Sequence, residues 1–140
     1  MKLSFFATAA FGLSLLFTSC HSSKTSISEG VNGEWNVITL NAEEITPSEN
    51  TPVLGFDKKR SAIYGFTGCN RLTGRYNTAD LNKGMIDFAA LGCTRMLCHD
   101  DKYETKFLKT LGDVKTLKTQ GSKMILLDKD GKTIVVLKKK

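Results

Sequence analysis

Apolar and polar residues divide the chain into three regimes. Residues 3–17 are predominantly apolar and rich in Phe, Leu and Ala. Residues 20–32 are Ser-rich with almost no apolar content. Such a segment cannot bury enough surface to offset the entropy lost on ordering, so a flexible tether is predicted there. From Gly33 onward, short apolar segments alternate with turn-rich ones, and a single folded domain is predicted over 33–140.

Within that domain the patterning is mostly that of strands. Trp35-Asn36-Val37-Ile38-Thr39-Leu40 has strand character, with Trp35, Val37 and Thr39 assigned to one face. Residues 41–51 contain Pro47 and many polar side chains, which predicts an irregular connection. Residues 53–56 form a second strand, closed by the charged turn Asp57-Lys58-Lys59-Arg60. Residues 61–66 form a third, with Ala62, Tyr64 and Phe66 opposed to Ile63. Residues 72–77 and 85–88 are two more, joined by the turn-rich Asp80-Leu81-Asn82-Lys83-Gly84. Residues 123–127 and 133–137 flank Asp128-Lys129-Asp130-Gly131, a strong hairpin signal.

One helix interrupts this order. It is predicted to start at Asp100 or Asp101, where Asp101 and Glu104 fit a capping box and an acidic first turn suits the helix dipole. Tyr103, Phe107, Thr110, Leu111 and Val114 share one face, and Gly112 is the expected stop. One helix can cover seven or eight strands only if they bend around it. The predicted fold is therefore α+β: a strongly curled antiparallel sheet or open barrel with the helix in its concave side.

Composition changes little in this picture. The length of 140 residues suits one domain, and 41% apolar with 24% charged residues is ordinary for a globular protein. Charge is more informative. Without Lys2 the balance is +5, spread thinly apart from Lys58-Lys59-Arg60 and Lys138-Lys139-Lys140. So diffuse an excess argues against nucleic acid as a partner and suits a solvated lysine-rich face.

The N-terminal segment sets the compartment. Lys2 followed by an apolar run too short to span a bilayer has the form of an export signal over residues 1–19. It ends in Leu16-Phe17-Thr18-Ser19-Cys20, which resembles a bacterial lipobox with Phe17 where Leu is usual. Cys20 is then the expected lipidation site. The absence of Asp two residues into the mature chain resembles outer-membrane sorting. A membrane contact through this lipid anchor is the first partner expected.

Gly68-Cys69-Asn70-Arg71, continuing to Gly74 and Tyr76, and Thr94-Arg95-Met96-Leu97-Cys98 together resemble the META domain. That family includes HslJ-type heat-shock-inducible envelope lipoproteins. Leu97 stands where Ala is common, and Cys93 where a small residue such as Ser is usual. The resemblance covers roughly residues 33–137. It implies a small curled sheet around a helix and a link to envelope stress, but no known reaction.

The cysteines admit several chemistries. An exported protein meets an oxidising compartment, where Cys69 and Cys98 can pair. Such a bridge would join the turn after a strand to the helix entrance and leave Cys93 as a buried free thiol. Cys93 competes as a partner, because the domain's three cysteines are an odd number. A Cys93/Cys98 redox pair just before a helix N-terminus is the alternative, although its spacing is not C-x-x-C. Cys93, Cys98 and His99 with Met96 offer soft-metal ligands, but in no established zinc frame.

No hydrolase motif is visible, so no catalytic residue, cofactor or metal is assigned. Asn70, Arg71 and Arg95 are the remaining candidates, as a polar patch around the disulfide that serves structure or contacts a ligand. The expectation is a non-catalytic, lipid-anchored envelope protein with a binding or stress-protective role. Its partner would be an envelope protein or a small hydrophobic ligand. The alternatives are a thiol-redox protein using Cys93 and Cys98, or a periplasmic soft-metal binder.

Overall fold

The computed structural model describes residues 26–99 and 102–140. The export signal, Cys20, the first part of the tether and the Asp100-Asp101 helix start lie outside the described residues. Among the described residues, nine strands form one antiparallel sheet, with three helices set around it. The strands are β1 (Gly33–Leu40), β2 (Glu43–Glu44), β3 (Val53–Asp57), β4 (Ala62–Phe66), β5 (Arg71–Arg75), β6 (Gly92–Cys93), β7 (Thr116–Gln120), β8 (Lys123–Leu127) and β9 (Thr133–Lys139). The helices are α1 (Ile27–Gly30), α2 (Thr78–Asn82) and α3 (Glu104–Asp113).

The sheet runs β6-β5-β4-β3-β1-β9-β8-β7, and β2 pairs with the far end of β1. The path is open. Beyond β7, Met85 makes a single bridge to Thr116, flanked by Leu117 N–H to Gly84 O and Ile86 N–H to Lys115 O. Seven residues later, Gly92 pairs with Thr73 of β5 at the opposite end of the sheet.

Period-2 burial builds most of the core. Trp35 and Val37 of β1, Leu54 and Phe56 of β3, Ile63 of β4 and Leu72 of β5 all face inward. They share one cluster with Leu117, Met124, Leu126, Val135 and Leu137 from the other half of the sheet, and with Phe107 and Leu111 of α3. The whole predicted face of α3, from Tyr103 to Val114, is buried. Thr39 does not face inward as expected. A register shift against β9 falls between Val37 and Thr39, so Leu40 takes the inner position.

Four local expectations are corrected. Within the expected tether, residues 27–30 form α1, and Ile27 packs against the core cluster that holds its C-cap, Val31. Val31 is fully buried, and its carbonyl accepts the Trp35 indole N–H at 2.7 Å. The turn at 80–84 contains α2, because the Asn77 side chain caps it by accepting from the Ala79 and Asp80 amides. Residues 85–88 make only the Met85 bridge, not a strand. Helix α3 starts at Glu104 and runs past Gly112 to Asp113.

Candidate functional site

Two neighbouring regions gather the residues singled out in the sequence, and they differ in kind. The first is a polar clasp between the two motifs. Gly68 has a φ of 105°, which glycine adopts freely, and its α-carbon faces the Asn50 carbonyl so closely that a Cβ would sit 2.9 Å from the oxygen. This turn aims Asn70 inward, where it is 2% exposed. Its Nδ2 donates to Glu104 Oε1 at 2.8 Å and to the Met96 carbonyl at 3.2 Å. Its Oδ1 accepts from Met96 N–H at 2.7 Å and from the Thr94 hydroxyl at 2.8 Å. Exchanging the two amide atoms would face donors with donors, so the network fixes the orientation.

Glu104 completes the clasp from the first turn of α3. Its Oε2 accepts Asn70 N–H at 2.9 Å and takes a bond from the Thr67 hydroxyl. Burial alone would raise this carboxyl, but the bonds from Thr67 and Asn70 outweigh it and hold Glu104 below the ordinary carboxylate value. The predicted capping-box partner of Asp101 thus has a tertiary role. Cys69 and Cys98 are disulfide-bonded with Cα atoms 6.0 Å apart, which ties the same turn to the approach to α3. Just before Cys98, this approach exposes Met96 by 57% and Leu97 completely.

Cys93 is free and only half-buried, packed against the core from β6. Burial, then the Glu104 charge, pushes its thiol above the ordinary value, with Arg95 pulling the other way. That is opposite to the activation a reactive cysteine needs. Cys98 is committed to Cys69 and supplies no free thiolate beside Cys93 or His99. Among the described residues, no three His, Cys, Asp or Glu side chains gather as a metal site.

The second region is a groove of about 700 Å³ on the outer face of the sheet, a volume in the range of small-molecule sites. Arg71 belongs here. Its backbone is locked to Thr94 by N–H to Oγ1 at 3.0 Å and Thr94 N–H to O at 3.1 Å, while its side chain lines the groove. Register places Arg71 opposite Phe66, Phe66 opposite Val53, Val53 opposite Asn36, and Asn36 opposite Lys138. These five residues make one row across five strands.

The 47–51 loop walls one side of this row. It is stiffened by Ser48 N–H to Thr51 Oγ1 at 2.8 Å and seated at Asn50 on the Gly68 turn. Tyr64 stands on the other side. Its ring lies so flat on Gly55 that a Cβ there would come within 2.4 Å of it. Burial, then the charges of Glu34 and Asp57, raises the Tyr64 hydroxyl, with Lys140 opposing. Arg95 is exposed and does not line the groove, so the groove holds Arg71 without Arg95. Asn70 is buried in the clasp, whereas Arg71 lines the groove.

The family model of the META domain matches residues 28–140. The chain belongs to the META domain family. No curated protein matches it. Three solved structures are similar to this META domain in fold. One, solved by NMR, aligns with TM-score 0.59 and 19% identity over 78% of this chain and 92% of its own. A second NMR structure, of a protein from Burkholderia xenovorans, gives 0.57 and 23% over 81% and 86%. A crystal structure of a DUF4847 family protein from Bacteroides vulgatus gives 0.55 and 14% over 79% and 94%. At these identities the likeness shows the fold alone.

The signal for Arg71 was present in the motif, but the rest of the row was not. Phe66, Val53, Asn36 and Lys138 meet only through register across strands far apart in sequence. Glu104 could have been suspected from its place beside the second motif. Its cap-like spacing from Asp101 gave it a sufficient local explanation.

Proposed function

We propose that this META-domain protein is a non-catalytic, lipid-anchored envelope protein that acts by binding a small molecule in the outer-face groove. The observation that carries the reading is the division of labour within one motif. Gly68, Cys69 and Asn70 are absorbed by the clasp, while Arg71 presents its guanidinium to open space. The lipobox-like Leu16-Phe17-Thr18-Ser19-Cys20 supports an anchor, with the outer membrane as the proposed destination. The thiol-redox alternative loses support because the Cys69–Cys98 bridge leaves Cys93 without Cys98 as a partner.

The same proposal holds the sheet to be strongly curled around α3. In a flat sheet, Met85 beyond β7 and Gly92 in β6 would be eight strand spacings apart, about 38 Å. The seven residues joining them reach at most about 25 Å. Phe107 and Leu111 sharing a cluster with both halves of the sheet supports the helix on the concave side.

Fractionation combined with solvent extraction tests the reading. Wild-type protein should sediment with membranes and carry a small molecule detectable by mass spectrometry. Cys20→Ser should leave the membrane or remain unprocessed, and Ile38→Arg, which fills the groove, should carry nothing. A wild-type protein in the soluble fraction, or the same extract from the Ile38→Arg variant, contradicts it.

A further inference from the structure

We infer that the groove selects a linear amphiphile with an anionic head, Arg71 holding the head and the Phe66–Val53 floor holding the chain. This rests on the reading of the groove as the binding site. The register row supplies the argument. A cation stands at each end, Arg71 on β5 and Lys138 on β9, four strand spacings or about 19 Å apart. Between them the floor is Phe66, Val53 and Asn36, so apolar surface lies next to Arg71 and polarity returns toward Lys138.

Charge pairing separates these cations from their neighbours. Lys140 is occupied by Glu34 at 3.0 Å. Arg71 and Lys138 have no side-chain hydrogen bond or ion pair among the described residues. An unpaired guanidinium with its backbone fixed offers a planar fork of donors, the geometry that carboxylates and phosphates accept in pairs. The 47–51 wall and the Tyr64 ring confine the space beside Phe66 and Val53 to a strip running across the strands, which suits an extended chain. Glu49 on the wall also lines the groove and disfavours a second negative charge along that side.

The shared chemistry is an anionic head on a single apolar chain, whether the head is a fatty-acid carboxylate or a lipid phosphate. Photo-crosslinking of the full chain in its membrane distinguishes them. Diazirine-bearing analogues of dodecanoate, dodecyl phosphate and neutral dodecanol are applied, and the labelled peptides are mapped. The expected labels fall on residues 36–38, 53 and 64–66, stronger for one or both anions than for the alcohol. Arg71→Gln should reduce anionic labelling about tenfold or more, the worth of a charged hydrogen bond, and leave alcohol labelling unchanged. Arg71→Lys should recover part of the loss, and the urea midpoint should not move in either variant. Equal labelling by all three probes, unaffected by Arg71→Gln, overturns the anionic inference while the groove remains a binding site. Failure of every probe to label the groove overturns both.

Discussion

The clasp and the groove begin at adjacent residues, Asn70 and Arg71, yet they treat polar groups in opposite ways. Asn70 is buried, and every donor and acceptor of its amide is engaged by Glu104, Met96 and Thr94. Arg71 is exposed, and its guanidinium is engaged by nothing among the described residues. A satisfied buried network rigidifies; an unsatisfied exposed cation is available. The motif that marks the family is therefore mainly a device for holding a wall and a loop in place. Arg71, the next residue of that motif, instead lines the groove.

The largest perturbation should come from the core that both regions stand on. Phe107→Ala should cost about 3–5 kcal/mol, whereas Lys106→Ala, whose ammonium pairs with Glu43 at the surface, should cost well under about 1 kcal/mol. Similar urea midpoints for the two would break the assignment of the inner face. Cutting the clasp covalently comes next. Cys69→Ser opens a loop of separation 29, and the chain-entropy account puts the loss at roughly 3.6 kcal/mol. Unchanged thermal stability in that variant would mean the bridge is ornamental.

Acid should loosen the clasp. The Glu104 carboxyl sits below its ordinary value in the folded protein, so its contribution is complete above the unfolded value. It is lost as pH falls through the lower, folded value. Unfolding free energy followed from pH 7 downward should therefore decline below the ordinary carboxylate value of about 4.5. Glu104→Gln should flatten that decline, and a variant with the wild-type slope would remove Glu104 from the account. Cys93→Ser should give a small effect, about 1 kcal/mol or less, because the side chain is only half-buried and makes no bridge. A loss as large as that of Cys69→Ser would return Cys93 to the centre of the chemistry.

What the sequence disclosed follows the strength of each local signal. The hairpin of β8 and β9, the strands β1, β3, β4 and β5, and the buried face of α3 were all legible, because each carries its own periodicity or turn chemistry. Strand β7 was not, since Thr116-Leu117-Lys118-Thr119-Gln120 buries fully only Leu117 and owes its place to pairing with β8. Helix α2 was hidden by residues that also make turns, and only the Asn77 cap distinguishes it. The Cys69–Cys98 pairing was legible from compartment and position. The partnership of Asn70 with Glu104 was not, because a separation of 34 leaves no local trace and the carboxylate had a nearer explanation in Asp101. The groove was least legible of all: its row is a product of register, which no single strand encodes.

The central claim is that one peptide bond separates a structural residue from a ligand-facing one, and paired urea unfolding of Asn70→Ala and Arg71→Ala tests it most directly. Asn70→Ala should lower the unfolding free energy by about 1.5–3 kcal/mol, the cost of stripping a buried amide from the half-buried Glu104 carboxylate and the Met96 backbone. Arg71→Ala should remain within about 0.5 kcal/mol of wild type. Equal losses for the two substitutions, or a stable Asn70→Ala beside an unfolded Arg71→Ala, would contradict it.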